Sequence, residues 1–122
     1  MRRILTALTL SLGLALGLAA CAPAAGDIEV TAETILVDVR TPSEFASGHL
    51  EGAINIDVQS ADFEARVSEL DPNGEYVVYC RSGNRSGQAI NRMEALGFTN
   101  LVNAGSVDGA SNATGVAVVT GP

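Results

Sequence analysis

Hydrophobic positions along this chain fall into two rhythms. "TILVDV", residues 34 to 39, and "YVVY", residues 76 to 79, are near-continuous runs of branched and aromatic side chains, the pattern of strands buried on both faces of a sheet. Between them, residues 53 to 56 read as a weaker strand. In "ADFEARVSELDPNG", residues 61 to 74, the period changes, with Phe63, Val67 and Leu70 at helical intervals before a Pro-Asn-Gly turn. "SGQAINRMEALG", residues 86 to 97, repeats that period. It puts Ala89, Ile90, Met93 and Leu96 on one face, with Ser86 as N-cap and Gly97 as C-cap. Strands alternating with helices predict a parallel α/β sheet, with no internal repeat and no second domain.

The N-terminal pattern is of another kind. "MRRILTALTLSLGLALGLAAC" carries two arginines, then an uncharged apolar and small-residue stretch from Ile4 to Ala20, then a cysteine, the architecture of an export signal. The stretch is short for a helix crossing about 30 Å of hydrocarbon. "LAAC", Leu18 to Cys21, resembles the lipobox of bacterial lipoproteins, in which the cysteine is lipidated and becomes the first mature residue. The expected organisation is a signal peptide over residues 1–20, a lipidated tether over 21–28 containing the Ala- and Pro-rich "APAAGD", and one folded domain over 29–120. The expected location is the bacterial cell envelope, anchored through Cys21 and facing the periplasm or the cell exterior.

Charge then narrows the partners. The 122 residues carry a formal charge of −7, and all seven basic residues are arginines; cleavage before Cys21 removes Arg2 and Arg3 and leaves 5 arginines against 14 carboxylates. Such an acidic surface argues against nucleic acid as a partner and leaves the lipid as the link to a membrane. Lipidation of Cys21 also leaves Cys80 without a disulfide partner in its own chain.

Cys80 opens "CRSGNRSG" where a buried strand ends and a helix is about to begin. In open parallel sheets ligands bind at that edge, and Gly83 lets the loop turn its amides toward one point. Those amides, the start of the following helix and Arg81 or Arg85 all favour a thiolate over a thiol, whose ordinary pKa is about 8.5. The same donors suit a second anion, the substrate, with Arg40 adding to the positive spot.

"LVDVRTPSEFASGHLEGAINI", residues 36 to 56, followed by "YVVYCRSGNRSGQAINRMEALGFTNLVNAGS", residues 76 to 106, resembles a single-domain rhodanese, of the sulfurtransferase family. The resemblance implies a five-stranded parallel sheet flanked by helices on both faces. It also implies a cysteine that takes a sulfane sulfur as a persulfide and passes it to a thiol or to cyanide, without cofactor or metal. Cys80 is then the nucleophile, and the amides of Arg81, Ser82, Gly83, Asn84, Arg85 and Ser86 form the cradle that Arg85 closes. Arg81 points outward as a guide for the anion or as a plain surface residue. Asp38, Arg40 and Glu44 take structural parts, Asp38 satisfying loop amides and Arg40 pairing with Glu44, and His49 belongs to the scaffold.

The partners implied are a small anionic donor, thiosulfate or a persulfide, and a thiol acceptor, with a monomer expected. A non-enzymatic persulfide carrier or thiol-redox partner is the alternative. A phosphatase or arsenate reductase fits less well, because four residues separate Cys80 from Arg85 where such enzymes generally place five. The chain departs from the family near its end, where "GSVDGASNATG", residues 105 to 115, contains no tryptophan and sets Gly109 inside an expected helix. That predicts a frayed or shortened last helix.

Overall fold

The computed structural model describes residues 27–122, so the leader, the lipobox and Cys21 lie outside the described residues. Its elements alternate as the periodicities require: β1 (Thr34–Asp38), α1 (Pro42–Ser47), β2 (His49–Leu50), β3 (Ile54–Asn55), α2 (Phe63–Val67), β4 (Glu75–Tyr79), α3 (Asn84–Ala95), β5 (Leu101–Gly105), α4 (Val107–Thr114) and β6 (Val118–Val119). Four strands form a parallel sheet in the order β3-β1-β4-β5. The two continuous apolar runs are its central strands, paired from Thr34 with Glu75 to Asp38 with Tyr79.

Strand alternation sends neighbouring side chains to opposite faces, and each face has its own core. Val37, Val39, Val78 and Cys80 pack with Phe63 and Val67 of α2 and with Ala89 and Met93 of α3. Leu36, Val77 and Tyr79 pack on the other face with Leu50 and with Ala110 of α4. Each fully buried aliphatic side chain contributes about 1.5–3 kcal/mol, and helices cover both faces.

Three expectations change. Among the described residues the parallel sheet has four strands, one fewer than the five expected, and the Ile28 amide donates to the Ala113 carbonyl at 2.9 Å, at the end of α4. A separate antiparallel ribbon joins β2 to β6. The helix expected to carry Phe63, Val67 and Leu70 contracts to Phe63–Val67, and the expected turn after it is built on Asp71, which receives the Asn73 amide at 2.9 Å and, through its carbonyl, the Gly74 amide at 3.0 Å. The last helix is intact over Val107–Thr114. Gly109 sits in its first turn, where its amide donates to the capping Ser106 Oγ at 2.9 Å. A Cβ there would meet that oxygen at 3.0 Å, so the glycine serves the cap.

Candidate active site

Cys80 leaves β4 one residue past its last paired position, its amide donating to the Gly105 carbonyl at 2.9 Å, and its side chain is fully buried on the α3 face. The chain then turns through Gly83, whose φ of +94° suits glycine alone, and α3 begins at Asn84. The helix therefore starts two residues before the expected N-cap. Ser86 stands inside its first turn and is fully buried.

Among the described residues no side chain caps α3. The first-turn donors of a helix lack carbonyl partners, and here that of Ser86, with the loop amides of Ser82 and Gly83, serves the sulfur. The Gly83 amide donates to Cys80 Sγ at 2.9 Å, the amides of Ser82 and Ser86 join it, and Ser86 Oγ lies 3.4 Å from Sγ. Burial pushes the Cys80 thiol up, and the hydrogen bonds that Ser86, Ser82 and Gly83 can give the charged sulfur outweigh it, so the thiol ends below its ordinary value. Arg81, Ser82 and Asn84 are exposed around the loop.

The arginines pair differently from expectation. Arg85 forms a two-pronged ion pair with Glu44, Nη1 to Oε1 at 2.8 Å and Nη2 to Oε2 at 2.9 Å. It does not close over the sulfur as a free cation. Its guanidinium, assisted by the Thr41 hydroxyl and amide, holds the Glu44 carboxyl at about 2. Glu44 thereby also completes a capping box at the start of α1 with Thr41.

Arg40 pairs with Asp38 and not with Glu44: Nη2 reaches Oδ2 at 2.7 Å, and Nε reaches Oδ1 at 3.0 Å. The nearer partner wins because Asp38 is fully buried at the end of β1, where a lone carboxylate is costly. Asp38 also accepts the Arg40 amide at 2.9 Å, the loop-amide part expected of it. His49 is buried and stacks on Phe45 at 3.6 Å between ring centroids, with Nδ1 2.8 Å from the Phe45 carbonyl, a scaffold position.

The sequence reading missed Asn103. Its Oδ1 accepts the Ser86 hydroxyl at 2.7 Å and the Gly105 amide at 3.0 Å, and its Nδ2 donates to the Gly83 carbonyl at 3.1 Å. A polar residue inside "LVNAG", a strand otherwise apolar or small, was the available signal.

Comparison with known proteins agrees with this fold. The family model for the rhodanese-like domain matches residues 24–113. The chain is 35% identical over 71 residues to thiosulfate sulfurtransferase PspE of Escherichia coli, covering 58% of this chain and 68% of that protein. It is 34% identical over 68 residues to a putative sulfur carrier protein, YrkF of Bacillus subtilis, covering 56% of this chain and 36% of that protein. Among solved structures, an E. coli rhodanese with anions superposes with a TM-score of 0.61 at 31% identity, over 72% of this chain and 99% of that one.

Proposed function

We propose, for a chain that belongs to the rhodanese-like domain family, that Cys80 carries a sulfane sulfur from a small anionic donor such as thiosulfate to a thiol or to cyanide. The observation that carries this reading is the convergence of the Ser82, Gly83 and Ser86 amides on one buried sulfur. The Cys80 thiolate attacks the outer sulfur of thiosulfate; the sulfur–sulfur bond breaks and sulfite leaves with the electron pair. A cysteine persulfide remains, and its terminal charge falls to the same amides. An acceptor thiolate or cyanide then attacks the terminal sulfur and returns Cys80 as thiolate.

Glu44 gives the site its own electrostatics. By neutralising Arg85 it leaves the backbone as the main anion ligand and Arg81 as the exposed cation at the rim. Steady-state formation of thiocyanate from thiosulfate and cyanide tests the reading, with the mass of the Cys80 peptide after thiosulfate showing one added sulfur.

The complete burial of Cys80 favours a second reading, in which a partner protein delivers the sulfur and opens the loop. A persulfide that forms from a protein donor while free thiosulfate turns over poorly supports this carrier. We extend the proposal to the N-terminus: residues 1–20 direct export and Cys21 bears lipid, tethering a monomer to a bacterial envelope membrane. Fractionation with a lipid-labelled precursor tests this, and an unlipidated soluble product contradicts it.

A further inference from the structure

The Ser86 hydroxyl has one proton, and its surroundings leave that proton one destination. The Asn103 amide is oriented by two bonds, Nδ2 donating to the Gly83 carbonyl and Oδ1 accepting the Gly105 amide. Its oxygen only accepts, so the 2.7 Å contact with Ser86 is a bond donated by the hydroxyl. Ser86 therefore presents a lone pair, not a proton, to Cys80 Sγ at 3.4 Å. That arrangement serves a protonated sulfur, whose S–H can point at the lone pair. A thiolate or persulfide needs a donor instead, and Ser86 becomes one only by turning its O–H away from Asn103.

Asn103 reaches this place through an irregularity in β5. Val78 pairs with Asn103 and Tyr79 with Gly105, which leaves Ala104 as an extra residue. Such bulges re-aim side chains near sites, and this one brings a β5 amide against the first turn of α3.

We propose that Asn103 is a positioning residue for the sulfur chemistry, holding the Ser86 hydroxyl turned away from Cys80 in the resting thiol and releasing it to the sulfur once the proton has left or a persulfide has formed. The thiol proton goes to solvent, and only hydrogen bonds change. The inference rests on reading Cys80 as the sulfur carrier. Of the charged groups around the site, Arg85 of α3 bears on Cys80, Glu44 of α1 and Asp57 beyond β3 bear on Arg85, and Asp38 and Arg40 at the end of β1 are locked to each other; replacing Asn103 leaves all of them in place.

The test is a double-mutant cycle on the full chain, read by the ultraviolet absorbance of the thiolate against pH, with Cys80→Ser subtracted so that Cys21 cancels. Asn103→Ala frees the hydroxyl for the sulfur, so the ionisation midpoint should fall by about half a pH unit, roughly a threefold gain in thiolate below the midpoint. In a Ser86→Ala background the same replacement should leave the midpoint unchanged or raise it, since only the support to Gly83 is lost. Should Asn103→Ala not fold, Asn103→Leu keeps the bulk without an acceptor and must give the same fall. An equal fall in both backgrounds, or no fall with Ser86 present, overturns the proposal. The readout needs no sulfur donor, so a chain that fails to turn over thiosulfate can still pass or fail it.

Discussion

Two turns bracket β4, and they solve one problem in opposite ways. Before the strand, Asp71 takes the Asn73 amide on its carboxylate at 2.9 Å; after it, Cys80 takes the Gly83 amide on its sulfur at the same distance. Asp71 is exposed and Cys80 is fully buried. At the first turn, on an exposed side chain, the amide fixes a shape. At the second, in a site short of water, the same kind of donor decides whether a weak acid is charged at all. Backbone donors become chemistry where the group they face is buried and its charge depends on them.

The strongest way to break this comparison is to change the acceptor atoms. Cys80→Ser should abolish thiocyanate formation and persulfide mass while the thermal transition stays cooperative. Asp71→Asn should leave turnover at the wild-type level and shift stability by no more than about 0.5 kcal/mol. Turnover surviving in the serine variant would remove the premise.

Next in size is the Arg85–Glu44 pair. Arg85→Ala leaves the Glu44 charge unpaired beside the sulfur, so kcat/KM for thiosulfate should fall by about 2 kcal/mol in transition-state terms, some thirtyfold. Glu44→Gln frees Arg85 and should lower KM for thiosulfate. Opposite movements identify the pair as an electrostatic setting of the site, whereas losses of equal size in both variants identify it as a brace for α1.

A backbone change sharpens the comparison further. Gly83→Ala forces a side chain into φ of +94° and brings Cβ to 3.4 Å from Gly105 Cα, at a cost of about 1–2 kcal/mol for the conformation. The melting temperature should drop, and the Cys80 ionisation midpoint should rise as the amide swings off the sulfur.

The smallest effect lies in acid. Glu44 is held at about 2 in the folded chain, against about 4.3 for an ordinary glutamate. A depressed carboxylate stabilises the fold fully above its unfolded value, and that contribution is lost as pH falls from there through about 2. Stability of the wild type should therefore decline more steeply than that of Glu44→Gln across this interval, as measured by denaturant midpoints at successive pH values. The difference stays near 1 kcal/mol because the pair is partly solvated. Parallel profiles would mean that the ion pair contributes nothing to the folded state.

The central strands and the nucleophile were legible because their signals are local. β1 and β4 carry the unbroken apolar runs Ile35–Val37 and Tyr76–Tyr79, as burial on both faces requires, and a cysteine followed by glycine and a helical period marks a turn at a sheet edge. Ser86 misled because a serine before a helical period is normally a cap; only the left-handed turn at Gly83 shows that the helix starts earlier and that the hydroxyl points inward. The exchange of partners among Asp38, Arg40, Glu44 and Arg85 depends on which carboxylate is buried, a property of the assembled sheet. Asn103 was hidden for a related reason, since its reach depends on one unpaired residue in β5.

The uncapped start of α3 ties the firmness of a helix to the redox chemistry of an atom outside it. When the sulfur bears charge it acts as the missing cap, and by reciprocity whatever stabilises the anion also stabilises the first turn. Loading sulfur onto Cys80 should then tighten residues 84 to 86 and unloading should loosen them, so slowed amide exchange there would signal a charged carrier to any partner that reads the helix rather than the thiol. A domain built this way announces its cargo through its own rigidity.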